Sequence, residues 1–290
     1  MRALAALACA LAAAPLPDGR GAGNPASRYA IDKIASGFRF TEGPAWSRDG
    51  YLVFSDVPSG RILRLAPGQP AAILHEGLAG PSGNAFDPQG RLNTCETRGR
   101  RVVRAGRKEP EVLAAAFEGK RLNAPNDLAI RKDGHIYFTD PAFGSQSDTR
   151  ELDFYGVYHL TPRRELKLVA RPAGRPNGIA ISPDGRTLYV ANSDEHNIRA
   201  YDLDGKGDAS GERVLVSGIP GVPGGLRVDE KGNLWLAAKG VAEYSPQGKL
   251  LREIELAEAP SNLAFGDGDL KTIYVTARTS VYRIRPDDQK

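Results

Sequence analysis

The chain has 290 residues, of which 41% are hydrophobic and 26% are charged. This composition is that of an ordinary globular protein, and it excludes a collagen-like or an intrinsically disordered chain. The formal net charge is only +4, and the densest basic segment, Arg98–Arg104, contains no aromatic residue, so nucleic-acid binding is not predicted.

Residues 1–22 are predicted to be a signal peptide. Met1-Arg2 is a short basic start, Ala3–Ala14 is an apolar run too short to span a bilayer, and small residues follow from Pro15. We therefore expect a secreted or periplasmic protein without a membrane segment once this peptide is removed. A lipoprotein anchored through Cys9 is disfavoured, because the preceding residues fit a lipobox poorly. The mature chain then keeps Cys95 alone, which predicts a buried strand residue and no internal disulfide.

Internal repetition begins at residue 42. Each copy has a polar residue, an alternating apolar segment and a tight turn, and a strand-like segment follows each turn. The turn positions recur at intervals of roughly 40–50 residues. They are Gly50, Gly90, Gly134, Gly185, Gly232 and the degenerate Leu270.

Several short strands in a repeat of this length are typical of a β-propeller blade. Six copies account for the mature chain, so the sequence predicts an all-β, six-bladed β-propeller that forms a single domain over residues 23–290. The segment from about Ile31 to Phe40 precedes the first copy, and we expect it to supply a strand that closes the ring with the last blade.

A set of equivalent polar positions lies eight residues before each turn. Because the first strand of each blade lines the central channel, we expect these residues to face one another. They are Glu42, Ser82, Asn126, Asn177, Gly224 and Asn262. A carboxylate and three carboxamides suit a hard divalent cation such as Ca²⁺, Mg²⁺ or Mn²⁺. Turn formation is the alternative for each Asn, but it does not account for Glu42, whose charge would be costly in a channel without a partner.

Other acidic residues recur at strand ends after the first three turns. Asp56, Glu96 and Asp140 are predicted to be structural and to cap neighbouring backbone.

Five segments give the chain its resemblance to a known family. They are Phe40–Trp46, Leu122–Asp127, Tyr137–Pro141, Arg175–Ile179 and Tyr189–Asp194. In their order and spacing the chain resembles the gluconolactonase (senescence-marker-protein) family, and most closely its exported bacterial members. The resemblance implies a six-bladed propeller with one divalent cation in the channel. It also implies hydrolysis of sugar lactones, with related proteins acting on other lactones or on phosphoesters.

The resemblance also implies roles for individual residues. Glu42 and Asn177 would hold the metal, and Asn126 would hold metal or substrate. Ca²⁺ is the expected ion, with Mg²⁺, Mn²⁺ or Zn²⁺ as alternatives. The fourth family ligand, an Asp that also serves as acid and base, is replaced here by Gly224. Lys239 stands where small residues are expected, and if it points inward it weakens cation binding further.

The missing Asp leaves the general base open. Asp127, next to Asn126, and Asp194, after a later strand, are the two candidates. Asn126, Asn262 and Lys239 are the candidates for contact with the substrate, which is expected to be a small sugar lactone. No obligate protein partner is expected. Two alternatives to a lactonase stay open: a non-catalytic propeller that binds a ligand, favoured by Gly224, and a phosphotriesterase-like hydrolase, which would share the same site.

Overall fold

The computed structural model describes residues 29–106 and 109–286, so the predicted signal peptide lies outside the described residues. Within them, six four-stranded antiparallel sheets are arranged as the blades of a β-propeller, which confirms the predicted fold class. In this part of the chain no helix has the length and hydrophobicity to cross a membrane. Cys95 is fully buried in a strand and unpaired, as predicted.

The strands follow the repeats of the sequence. The first described strand, β1, spans Tyr29–Ser36, and blade 1 contains β2 (Thr41–Ser47), β3 (Tyr51–Asp56), β4 (Arg61–Leu65) and β5 (Ala72–His75). Blade 2 contains β6 (Pro81–Phe86), β7 (Leu92–Glu96), β8 (Arg101–Arg104) and β9 (Glu111–Ala114). A small hairpin, β10 (Ala116–Phe117) and β11 (Lys120–Arg121), comes next.

The remaining blades have the same order. Blade 3 contains β12 (Leu128–Ile130), β13 (Ile136–Asp140), β14 (Gly156–Leu160) and β15 (Leu166–Ala170). Blade 4 contains β16 (Pro176–Ile181), β17 (Thr187–Asn192), β18 (Asn197–Leu203) and β19 (Ala209–Val216). Blade 5 contains β20 (Leu226–Val228), β21 (Leu234–Ala237), β22 (Val241–Tyr244) and β23 (Leu250–Ile254), and blade 6 contains β24 (Pro260–Gly266), β25 (Thr272–Ala277) and β26 (Ser280–Pro286). Two 3₁₀ turns, Val57–Ser59 and Gly144–Thr149, complete the described elements.

The ring closes through the first and last strands. β1 pairs antiparallel with β26, from Tyr29 opposite Pro286 to Ser36 opposite Ser280, and so becomes the fourth strand of blade 6. Apolar side chains fill the space between blades: Leu52 and Phe54 of blade 1 belong to one buried cluster with Tyr274 of blade 6. The segment predicted to close the ring therefore does so.

Glu258 forms hydrogen bonds with both strands of this closure, β1 and β26. Its carboxylate accepts hydrogen bonds from Lys33 Nζ at 2.8 Å, Ser280 Oγ at 2.6 Å and Tyr282 Oη at 2.9 Å. Burial by itself would raise the pKa of Glu258, but these hydrogen bonds outweigh it and lower the pKa from 4.5 to about 2. The carboxylate is thus bound more favourably in the folded chain than in the unfolded one.

Replacing Glu258 with Gln is expected to lower the melting temperature at neutral pH. Because the folded pKa lies below the unfolded one, the stabilisation is complete above the unfolded value and is lost as the pH falls through the folded value. The difference in melting temperature between wild type and Glu258→Gln should therefore shrink between pH 4.5 and about 2. Calorimetry at several pH values checks this, with Glu255→Gln, an exposed neighbour, as the control. A difference that stays constant down to pH 2 would contradict it.

Candidate functional site

The inner ends of the six blades meet in a closed ring of hydrogen bonds. Each bond joins one blade to the next. The bonds are Ser55 Oγ to Ser82 O (2.8 Å), Gly83 N to Asn126 O (2.7 Å), Thr139 Oγ1 to Asn177 O (2.7 Å), Gly178 N to Gly224 O (3.0 Å), Gly225 N to Ser261 O (2.8 Å) and Ser261 Oγ to Thr41 O (2.8 Å). The ring positions are Glu42, Ser82, Asn126, Asn177, Gly224 and Ser261. We call these six residues, together with the residue that follows each of them, the hub.

The interblade bonds place Ser261, rather than Asn262, at the ring position of blade 6, because Ser261 O accepts from Gly225 N as Asn126 O accepts from Gly83 N. Asn262 is therefore equivalent to Asp127, and the pair Leu263–Val275 is equivalent to the pair Leu128–Phe138. Counting back from the turn misplaced Asn262, because the hairpin of blade 6 has one additional residue in each of its two strands: Leu263 and Val275 are 12 residues apart, whereas Leu128 and Phe138 are 10 apart. Its turn residue Leu270 adopts a φ of 54°, a left-handed conformation that glycine takes in the other five turns.

The residue after the ring position is glycine in four blades, because neighbouring strands approach closely there. A Cβ at Gly178 would lie 2.4 Å from Gly224 O, and one at Gly225 would lie 1.9 Å from Asn262 Oδ1. Blades 3 and 6 are the exceptions, and they carry Asp127 and Asn262 at this position. Both of these side chains are fully buried.

Glu42, Asn262 and Asp127 form a buried network across the hub. Glu42 is 7% exposed, and its Oε2 accepts hydrogen bonds from the amide of Gly43 and from Asn262 Nδ2, the latter at 3.0 Å. The same Asn262 nitrogen lies 3.2 Å from Asp127 Oδ2. Burial, with the nearby charge of Asp127, raises the pKa of Glu42 to about 7. The hub therefore joins residues of blades 1, 3 and 6.

Three oxygen atoms of the predicted ligands have no hydrogen-bond partner among the described residues. Asn126 Oδ1 and Asn177 Oδ1 are buried without one, and the hydrogen bonds to Glu42 all go to Oε2, which leaves Oε1 free. The amide of Asn177 is oriented by a 3.1 Å bond to Ser193 Oγ. Buried oxygens without donors are unusual and call for an explanation. Carboxylate and amide oxygens fit a hard divalent cation.

The donor set is weakly charged. In residues 29–106 and 109–286 no group of three or more His, Cys, Asp or Glu side chains is arranged to hold a metal ion. Gly224 adds no ligand to the ring, and its NH is bound to Ala237 O at 2.8 Å. A Cβ there would lie 2.5 Å from Ser261 O. A cation in the hub would thus depend on Glu42 and on carboxamides.

Asp127 and Asp194, the two predicted base candidates, have different surroundings. Asp127 Oδ1 accepts from the amide of Leu128 at 2.9 Å, and Oδ2 is held by Asn262 and by Arg227 Nη1 at 3.1 Å. Asp194 instead pairs with Arg175, whose hydrogen bonds lower the pKa of Asp194. The structure thus places Asp127 in the hub, whereas the carboxylate of Asp194 makes no hydrogen bond to a hub residue within the described part of the chain.

Lys239, a predicted substrate contact, is exposed in the β21–β22 connection. Its backbone NH lies 3.3 Å from Pro220 O, and its side chain has no hydrogen bond or ion pair within the described ranges. Lys239 is therefore not part of the hub network.

Backbone capping was predicted for Asp56, Glu96 and Asp140, and it is confirmed for Asp56 and Asp140 but not for Glu96. Asp56 accepts from the amides of Arg39 and Phe40 at 3.1 and 3.0 Å, and Asp140 accepts from those of Asn123 and Ala124 at 2.8 and 2.7 Å. Glu96 differs, because its carboxylate pairs with Arg101 Nε at 2.7 Å.

Arg227 contacts the hub through Asp127 and was not predicted from the sequence. The position three residues after each ring residue is Ala45, Ala85, Ala129, Ala180 and Ala264 in the other blades. An alignment of the repeats at this position would have shown one arginine among alanines.

Comparison with known proteins covers nearly the whole chain. Residues 40–279 match the SMP-30/gluconolactonase/LRE-like region. A gluconolactonase of Zymomonas mobilis is 32% identical, with 88% of this chain and 81% of that protein covered. A diisopropyl-fluorophosphatase of Loligo vulgaris is 31% identical, covering 84% and 87%. A solved structure of a gluconolactonase from Xanthomonas campestris superposes with a TM-score of 0.83 at 32% identity, covering 89% of each chain.

Proposed function

The chain belongs to the SMP-30/gluconolactonase/LRE-like family, and on this basis we propose that it hydrolyses sugar lactones with a divalent cation held by Glu42, Asn126 and Asn177. The observation that carries the proposal is the pair of buried carboxamide oxygens, on the same ring as Glu42, that have no hydrogen-bond partner in residues 29–106 and 109–286. Ca²⁺ is the proposed ion, since it accepts neutral oxygen ligands readily, with Mg²⁺, Mn²⁺ or Zn²⁺ as alternatives.

Each hub residue has a separate task in this proposal. When bound, the cation would polarise the lactone carbonyl and lower the pKa of a water molecule. Glu42 and the two carboxamides bind it, and Asn262 orients Glu42 by holding Oε2 at 3.0 Å. The ring of interblade bonds fixes the three ligands to rigid strands, so that little reorganisation accompanies the reaction.

Asp127 is the proposed proton acceptor, because it belongs to the hub, whereas the carboxylate of Asp194 is held by Arg175. Asp127→Asn is expected to lower kcat by about a hundredfold, within the usual range for loss of a general base. Asp194→Asn, which breaks only the pair with Arg175, should change kcat by less than about threefold. Steady-state kinetics on both variants decide between the two carboxylates. Equal losses, or a larger loss for Asp194→Asn, would contradict this assignment.

The function is tested on the mature chain, residues 23–290. Turnover of an aldonolactone is expected with one of the four cations and should be lost in EDTA. Each cation that supports turnover should also raise the melting temperature. The absence of both turnover and a thermal shift with every cation would overturn the proposal.

Two other functions are distinguished by the same protein sample. A phosphotriesterase-like activity is supported by the similarity to a diisopropyl-fluorophosphatase, and turnover of an organophosphate but no lactone would favour it. A non-catalytic binding propeller is favoured by Gly224, and it predicts a cation- or sugar-dependent thermal shift without turnover.

Export through residues 1–22 is also proposed, and the N-terminal sequence of the protein recovered from the producing cells tests it.

A further inference from the structure

Arg227 stands where every other blade has alanine. It lies opposite Trp235 in the blade 5 sheet, as Ala129 lies opposite Tyr137 in blade 3. The equivalent position is Ala45 in blade 1 and Ala264 in blade 6. One blade therefore carries a long cation at a position that is otherwise occupied by a methyl group.

The guanidinium of Arg227 contacts both blade 3 and its own strand in blade 5. Its Nη1 lies 3.1 Å from Asp127 Oδ2 on blade 3 and 2.6 Å from Leu226 O. The arginine side chain is 18% exposed and that of Asp127 is 0% exposed. The ion pair is therefore largely shielded from solvent, where charge effects are stronger than at a surface.

The hub contains two buried acidic side chains, and Arg227 supplies a positive charge beside one of them. Asp127 and Glu42 both accept a hydrogen bond from the same Asn262 nitrogen, so two acidic side chains lie close together in a buried place. Buried acidic groups of this kind are costly without a cation. Among residues 29–106 and 109–286, Arg227 is the only cation hydrogen-bonded to either of them.

Blade 5 alters the charge of the hub in one further way. At its ring position it carries Gly224, which contributes no carboxylate, and three residues later it contributes Arg227. Both features make the hub more positive. A positive charge near the ligands opposes binding of a divalent cation and also reduces the need for one.

We propose that Arg227 is the built-in counterion of the hub, which keeps the metal-free protein folded and lowers the affinity of the hub for divalent cations. The second part rests on the proposed metal site. Arg227 acts through Asp127 and is a positioning residue, not a catalytic one.

The test compares Arg227→Met with Arg227→Lys. In EDTA, Arg227→Met should lower the melting temperature by several degrees, and saturating CaCl₂ should restore most of the loss. Its Ca²⁺ affinity, measured by calorimetric titration, should rise about tenfold over wild type, because one opposing charge is gone. Arg227→Lys keeps the charge and should stay near wild type in both measurements. An unchanged melting temperature in EDTA, or no gain in Ca²⁺ affinity, would overturn the proposal.

A double variant separates charge from packing. If Arg227 serves to neutralise Asp127, then Asp127→Asn combined with Arg227→Met should melt in EDTA well above Arg227→Met alone. A double variant as unstable as Arg227→Met would show a packing role and overturn the proposal. If Arg227→Met does not fold in EDTA, folding of the double variant is the deciding result. Lactone turnover is not measured here, so an inactive wild type would contradict the proposed function and leave this test intact.

Discussion

Replacing Glu42 with Gln is expected to lower kcat/KM for a sugar lactone by at least about a hundredfold, because the proposed metal site loses its one free carboxylate oxygen. The remaining proposed ligands, Asn126 and Asn177, are neutral. The thermal stabilisation by Ca²⁺ should be lost together with activity. Enzyme kinetics and melting curves with and without CaCl₂ measure the two effects on the same samples.

The matched control for Glu42→Gln is Ser82→Ala. Ser82 holds the ring position in blade 2, and its hydroxyl makes no hydrogen bond within the described chain, so its loss should change neither activity nor cation response by more than about twofold. If Glu42→Gln keeps both its activity and its Ca²⁺ shift, the metal site proposed here is wrong.

Replacing Gly224 with Asp is expected to have two opposing effects. A Cβ at this position lies 2.5 Å from the backbone oxygen of Ser261, so the strands of blades 5 and 6 must move apart. We expect a cost of about 1–3 kcal/mol, as for other overpacked sites. The new carboxylate would join the ring beside Glu42 and should raise Ca²⁺ affinity by about tenfold or more.

Gly224→Ala separates these effects, because it introduces the same Cβ without the charge. Both variants should melt below wild type in EDTA, and only Gly224→Asp should recover when CaCl₂ is added. If Gly224→Asp also gains lactonase activity, the natural protein has lost catalytic power at this position. Equal Ca²⁺ affinities for the two variants would show that residue 224 does not face the ligands.

The fold could be predicted because each blade repeats the same local signals. A tight turn and an alternating strand recur at a similar spacing in each copy, so one degenerate copy does not obscure the fold. That degenerate copy nevertheless caused the one error in register. An extra residue in the first strand of the blade 6 hairpin, matched by one in the second, displaced Asn262 from the ring position, and such an insertion cannot be seen until the strand pairing is known.

The site was only partly predictable. The ring positions Glu42, Asn126 and Asn177 follow from the repeat, but the buried contacts of Asp127 and Asn262 depend on how far side chains reach across the channel. Arg227 gave a signal, one arginine among alanines, but only a side-by-side alignment of the blades reveals it. Its partner on blade 3 could not be read from the sequence.

Closure of the ring by β1 and β26 has a consequence for how the protein is made. The first described strand finds its hydrogen-bonding partner only after the last one has been synthesised, so its pairing is among the longest-range contacts in the chain. Contacts of this kind form slowly. Until these contacts form, β26 is an unpaired edge strand of blade 6, and unpaired edge strands can associate with other chains. We therefore expect the nascent protein to be most prone to aggregation in the interval before β1 and β26 pair.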